Sequence, residues 1–540
     1  PDGNDRREHL TFPYADEVVV SPNGKWVAFN EGDNVYVTGL PMAGSAGTPL
    51  VIDKKKGPFP VRRLSMTGGL FPSWRNDTTV QFGSGPFYIA YDVDHDRADT
   101  VEIELRQPRD FARGTIALTD ARIITLDNRS VIESGTVLIK NGRIACVGEC
   151  EFGGVDRIES LSGKTIIPGF IDMHSHFFRE YRGIIPMKAF EAAVPLAYGV
   201  TTNMDNSMWS QDVFPAAELI DAGMLIGPRT FSTGDPLYAG DAARTNDITS
   251  YKVAQDEVDR LLSWGAVSIK QYLQPRREQR QWIVDIARDR GMMVTSQGAD
   301  LIHNLTKIMD GQTAWEHSLT YAPIYGDVAK FFGRAKAVYS PTFNTRAGPW
   351  NDEYWFGESD VWLNEKLRRW MPWQQLVGHT RRRALRPATD YIFPIVAQGL
   401  ADIMAEGGYG SIGGHGQQHG LGSHWEVWMA ATALGPMGAL ELASVEGAYF
   451  LGAEDDLGTI SVGKLADLMV LNSNPLDDIR NTEDIEYVMK DGRLYVGDTL
   501  DEVWPRDKPY GTRPWVNLDA LKIGPVPVDV WDNKRTNGNR

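Results

Sequence analysis

From about residue 168 to 454, short apolar runs alternate with segments of helical spacing. The runs include Val200-Thr201-Thr202, Ala266-Val267-Ser268-Ile269-Lys270, Met292-Met293-Val294-Thr295, Thr313-Ala314-Trp315-Glu316 and Ala337-Val338-Tyr339-Ser340-Pro341-Thr342. Between them, Val253 to Trp264 places Val258, Leu261 and Leu262 on one helical face and stops at Gly265, a glycine suited to a helix C-terminus. Alternation sustained over such a length predicts an α/β chain built as a (β/α)8 TIM barrel, with function at the C-terminal ends of the strands. The alternation breaks near 344–388, a stretch rich in Trp and Arg (Trp350, Trp355, Trp362, Trp370, Trp373). It is too long for an ordinary loop and reads as a lid or substrate wall, or else as an oligomer contact.

The first strand of this region leads into His174-Ser175-His176. Residues i and i+2 of a strand share a face, so both imidazoles are expected to converge and to suit a divalent metal. Lys270 ends an apolar strand, where a charged amine is costly to desolvate; a solvated strand-end lysine is the alternative. His317 closes a later strand, and Glu316 before it is expected on the opposite face in a structural role. Near the end, His415, His419 and His424 lie in or just past a run with eight glycines between 407 and 422. The spacing Ser423-x-x-Glu426 fits a capping box opening the last helix.

The 540 residues exceed one ordinary core, so several domains are expected. A net charge of -16 disfavours a nucleic-acid groove, and no apolar run reaches the roughly 18 residues of a membrane span. Residues 113–167 and 455–500 are both strand-rich and predict one β-sandwich built from both ends of the barrel, 168–454, leaving 501–540 as a C-terminal extension. The two cysteines, Cys146 and Cys150, read as buried free thiols rather than as a disulfide. In residues 1–112, Val18 to Phe29 forms strand, Pro22-Asn23-Gly24 turn and strand, and a related unit recurs around Phe71 to Phe82.

These N-terminal units resemble the repeat of TolB-like β-propellers. About two blades fit, and the chain opens on Pro1-Asp2-Gly3 as though inside a repeat. A partner chain or a longer precursor is therefore expected to supply the rest. The resemblance implies a periplasmic or secreted protein, with the cytoplasm left open. A homo-oligomer is also left open.

Ile166-Ile167-Pro168-Gly169-Phe170-Ile171-Asp172-Met173-His174-Ser175-His176 resembles the first barrel strand of the amidohydrolase superfamily. Asn141-Gly142-Arg143-Ile144 and Gly463-Lys464-Leu465-Ala466-Asp467-Leu468 resemble its flanking sandwich, and the nearest subgroup is the imidazolonepropionase- and prolidase-like hydrolases. The resemblance implies one or two divalent ions, zinc foremost, on His174, His176, Lys270 (carboxylated in many members), His317 and His415. Two positions depart from the pattern: Gln297 stands where strand five has histidine, and His415 where strand eight has the aspartate that serves as base. His415 is thus expected as ligand or base, and Lys270 as a catalytic as well as a metal-binding residue. Tyr272, Gln297, His419 and His424 are the candidates for substrate contact. The implied activity is metal-dependent hydrolysis of an amide, peptide or cyclic amide in a small-molecule or peptide substrate. An isomerase, lyase or cyclase on the same scaffold, or a pseudoenzyme with a binding role, are the alternatives.

Overall fold

The computed structural model describes residues 8–40, 48–177, 184–240, 245–319, 321–346, 361–378 and 387–516. The chain divides into two compact units: Pro1–Pro108 with Ser207–Phe214 and Ser232–Thr313, and Arg109–Asn206 with Pro215–Phe231 and Ala314–Arg540.

The first unit opens with two four-stranded antiparallel sheets. One runs through Ala15–Val20, Trp26–Glu31, Asn34–Gly39 and Val61–Arg63; the other through Leu70–Trp74, Thr79–Ser84, Phe87–Asp92 and Arg97–Glu102. The turn in the first sheet forms where it was expected. Ser21 Oγ accepts the backbone N–H of Trp26, Asn23 Oδ1 accepts that of Lys25, and Gly24 takes the left-handed φ of 68°. Ala28, Val35, Val37, Val80 and Phe82 pack into one apolar cluster beneath these strands. Pro1-Asp2-Gly3 lies outside the described residues.

The same unit carries a parallel sheet of Leu237–Tyr238, Ser268–Tyr272 and Met293–Ser296. Helices Tyr251–Trp264, Arg277–Asp289 and Leu301–Met309 alternate with these strands. The first begins on Ser250, whose side chain accepts from Val253 N–H, and ends on Gly265 at φ 102°.

In the second unit both chain flanks join one nine-stranded sheet. Thr165–Pro168 pairs antiparallel with Leu468–Leu471, which stitches residues 115–168 to the far end of the chain. Ile116, Leu118, Val137, Ile139, Val470, Met489 and Leu494 fill its core. The sheet runs on to Glu502–Trp504, so the segment expected as an extension from 501 begins with a sheet strand. Parallel strands Phe170–Asp172 and Val200–Asp205, and separately Ala314–Glu316, Val338–Ser340 and Tyr409–Gly410, continue the unit. Helices Gly326–Ala335, Phe393–Ala405 and Leu421–Leu442 lie between or after them.

One expectation is corrected here. Cys146 and Cys150 form a disulfide and are half-exposed, not buried thiols. Gly148, at φ 96°, turns the chain so that the two Cα atoms lie 5.9 Å apart, within bridging range. Within 344–388, Trp370 is a core anchor: it is fully buried and its Nε1 donates to Asp498 O at 2.8 Å. Trp350 and Trp355 lie outside the described residues. Among the described residues no helix is long and apolar enough to cross a membrane.

Candidate metal centre

His174, His176, His317 and His415 come together in the second unit. Ring centroids of His174 lie 4.7 Å from His176, 4.7 Å from His415 and 4.9 Å from His317. His176 and His415 are 4.4 Å apart, and His317 and His415 5.1 Å. Ligand atoms of His174, His176 and His415 all fall within 4.8 Å of one another.

Strand alternation does not produce this convergence. The strand ends at Asp172, before either histidine. Three of the rings sit on left-handed backbone, with φ of 51° at His176, 71° at His317 and 58° at His415, and Thr342, the partner of His174, is left-handed too at 53°. Each such non-glycine residue costs about 1–3 kcal/mol, and such strain gathers where function requires a geometry. Glycine supplies the remaining room. A Cβ on Gly413 would stand 2.7 Å from His174 Cβ, and one on Gly416 2.7 Å from His176 O. The glycine-rich run thus lets the His415 loop lie directly on the His174–His176 segment, and His415 N–H donates to His174 O at 2.7 Å.

A second layer of groups fixes the rings. His174 Nδ1 is 3.1 Å from Thr342 Oγ1, and its Nε2 is 3.2 Å from Glu316 Oε2. His317 Nδ1 is 3.4 Å from Thr345 Oγ1. Asp172 accepts N–H groups of His174 and Gly414 and the hydroxyl of Ser423, pinning two loops together. Burial pushes its carboxyl up to about 6 against those hydrogen bonds. The donor set, several imidazoles buried beside a carboxylate, fits a divalent cation of the zinc class.

Several expectations are redrawn. Glu316 does not face away: the strand stops there, φ turns positive at His317, and both side chains reach the site. Ser423 and Glu426 do not form a capping box, because the helix begins at Leu421 on Gly420. Glu426 is instead a buried carboxyl accepting Asn344 N–H at 2.7 Å, and burial pushes it up to about 8. His424 is a packing residue and not a substrate contact. It is fully buried, bonded to Thr482 Oγ1 and Tyr198 O, and driven down to about 3 by burial. Every residue from Leu421 to Ala430 of this helix is buried, His424 among them. His419 is half-buried between the Phe177 and Phe190 rings.

Lys270, Tyr272 and Gln297 belong to the first unit. Lys270 is fully buried, with Nζ 5.2 Å above the Tyr272 ring, which itself lies 4.2 Å from the Tyr238 ring. Gln297 is buried past the end of the next strand; its N–H donates to Gln271 O, and its own O accepts Lys307 Nζ at 2.7 Å. Sequence reasoning missed Thr342, Thr345 and Asn206. Asn206 and Thr342 carry no signal beyond a place just past a strand end, and Thr345 lies in the short helix Phe343–Arg346.

The amidohydrolase family matches residues 421–495. The chain is 24% identical over 435 residues to adenine deaminase 1 of Jannaschia sp. (strain CCS1), covering 75% of this chain but 62% of that protein. It is 21% identical to 5'-deoxyadenosine deaminase of Methanobrevibacter smithii, over 67% of this chain and 84% of that one. Among solved structures, a Xaa-Pro dipeptidase with methionine in its active site aligns at TM-score 0.55 and 22% identity, covering 71% of this chain and all of its own. Ochratoxinase of A. niger aligns at 0.54 and 16%, over 76% of this chain and 98% of its own.

Proposed function

We propose that this chain, a member of the amidohydrolase superfamily, is a metal-dependent hydrolase of carbon–nitrogen bonds in an amide, peptide or cyclic amide. The observation that carries the reading is the convergence of His174, His176 and His415 within 4.8 Å on strained backbone. The names of its relatives, deaminases and a dipeptidase, agree in the bond they cleave.

A divalent ion at these imidazoles supplies Lewis acidity, which acidifies water and polarises a carbonyl. Zinc suits the imidazole-rich donor set best. The chain's own groups do the rest. Thr342 holds His174 by Nδ1 and keeps its Nε2 on the side of Glu316. Thr345 engages His317 at Nδ1, which leaves Nε2 to face the ion as the further ligand that the resemblance implies. His415 binds the ion or takes a proton, but one nitrogen cannot do both. Lys270, carboxylated or not, is assigned as a further ligand with a role in the chemistry, and Tyr272, Gln297 and His419 as substrate contacts.

The two N-terminal four-stranded sheets are read as two blades of a TolB-like propeller. The Cys146–Cys150 disulfide supports an oxidising compartment, periplasmic or extracellular.

The test is turnover in oxygen-18 water against dipeptides ending in proline, N-acyl amino acids, lactams and aminopurines. Hydrolysis places one solvent oxygen in the product. His415, standing where the resemblance expects a carboxylate base, favours the second reading of an isomerase, lyase or cyclase. Product formed without label would establish that reading instead.

A further inference from the structure

We propose that Glu316 is the anionic ligand of the ion held by His174, so that strand Ala314–Glu316 supplies the carboxylate that the family resemblance would place at position 415. The inference rests on the metal-centre reading above and adds a ligand to it.

Four observations lead there. Glu316 is fully buried, and a buried carboxylate needs a cation or dense hydrogen bonding to remain charged. Its Oε2 lies 3.2 Å from His174 Nε2. Two ligands about 2.1 Å from one tetrahedral zinc are separated by about 3.4 Å, so this gap matches one edge of a coordination tetrahedron. The other oxygen is already engaged: Oε1 accepts Asn206 Nδ2 at 2.8 Å. The same amide donates its second hydrogen to Met173 O at 2.9 Å, beside the histidine pair, so Asn206 aims the carboxylate as an outer-layer partner would.

Charge balance points the same way. His415 in place of an aspartate removes one negative charge from the set that the resemblance implies, and Glu316 restores one. The sequence hides this because strand alternation turns Glu316 away from His317. The left-handed φ of 71° at His317 cancels that alternation. The set of three histidines closes within 4.8 Å without Glu316, which shares His174 with it and so forms a further side of the centre.

The test uses the full chain, stripped of metal and reloaded. Zinc affinity is measured by chelator competition, and the cobalt(II) form by its visible absorption, for wild type, Glu316→Gln and Glu316→Asp. Glutamine keeps the shape and the Asn206 contact but loses the charge. The expected result is a zinc affinity lowered by more than about 100-fold, beyond the roughly 10–100-fold typical of an outer-layer partner, together with shifted cobalt bands. Glu316→Asp, which keeps the charge at shorter reach, should retain part of the affinity and also shift the bands; it decides the matter if the glutamine variant does not fold. Cobalt bands unchanged from wild type in the folded variants, at any affinity, would overturn the assignment while leaving the three-histidine centre standing. Wild-type chain that binds neither metal would instead overturn the centre itself.

Discussion

Two buried polar clusters within the second unit invite comparison. In one, Arg229 bonds Asp467 and Asp491, Lys490 bonds Asp491 at 2.7 Å, and Thr202 accepts from the same guanidinium. Two cations face two anions, and the charges close on themselves. Although burial opposes it, Lys490 and Arg229 hold the Asp491 carboxyl well below the usual range. In the other, four imidazoles face one another with Glu316 at their edge, on backbone strained at three of the four histidines. Neutral rings cannot satisfy each other in this way, and protonated ones would repel. Closed ion pairs are architecture; imidazoles converging beside a carboxylate suit a cation.

Removing one histidine should break the imidazole cluster most severely. His415→Ala is expected to lose metal and turnover together, measured by elemental analysis and by activity on one preparation. If the metal stays and turnover falls by roughly 10²–10⁴-fold, His415 is the base rather than a ligand. If neither changes, His415 has no part in the centre.

The closed cluster should break differently. Arg229→Met leaves Asp467 and Asp491 with Lys490 as their remaining cation, and the expected loss is about 3–5 kcal/mol in urea unfolding. Metal stoichiometry per folded chain should stay as in wild type. Loss of metal in folded Arg229→Met would show that the two clusters are coupled, against the distinction drawn between them.

A smaller, pH-dependent effect distinguishes two carboxyls, Asp491 of the closed cluster and Glu426, which accepts from Asn344 N–H. Glu426, raised by burial from 4.5 to about 8, keeps its proton in the folded chain where the unfolded chain has released it. Between those values the unfolded state binds fewer protons, so this group's contribution to stability falls as pH rises, by up to about 1.4 kcal/mol per pH unit. Asp491, held low, has the opposite sign: its contribution is present above about pH 4 and lost on acidification. Urea unfolding of metal-free Glu426→Gln from pH 5 to 8 should show the variant gaining on wild type as pH rises. A constant difference across that range would contradict the buried, protonated state of Glu426.

Much of this was legible in the chain. Pro22-Asn23-Gly24, the helix closed by Gly265 and the strand ending in Glu316 follow local rules that the structure obeys, whereas the strand expected to end at Lys270 runs on to Tyr272. The four histidines could be picked out because imidazole is scarce and each follows an apolar strand, by one residue at His317 and by up to five at His415. Glu316 could not, since period-two alternation holds only while φ stays extended, and it fails one residue later. Glu426 and His424 were misread for a related reason. Ser423-x-x-Glu426 has the right spacing for a cap, but Gly420 starts the helix earlier and buries that whole turn.

The central claim is that His174, His176 and His415 hold a divalent ion, and metal content tests it most directly. Chain purified without chelator, and a His174→Ala, His176→Ala double variant prepared in parallel, are assayed for zinc, manganese, iron and cobalt. The account predicts about one or two ions per wild-type chain and close to none in the folded double variant. Wild-type chain that stays near zero after zinc or manganese is supplied, or a double variant that binds as much as wild type, would contradict it.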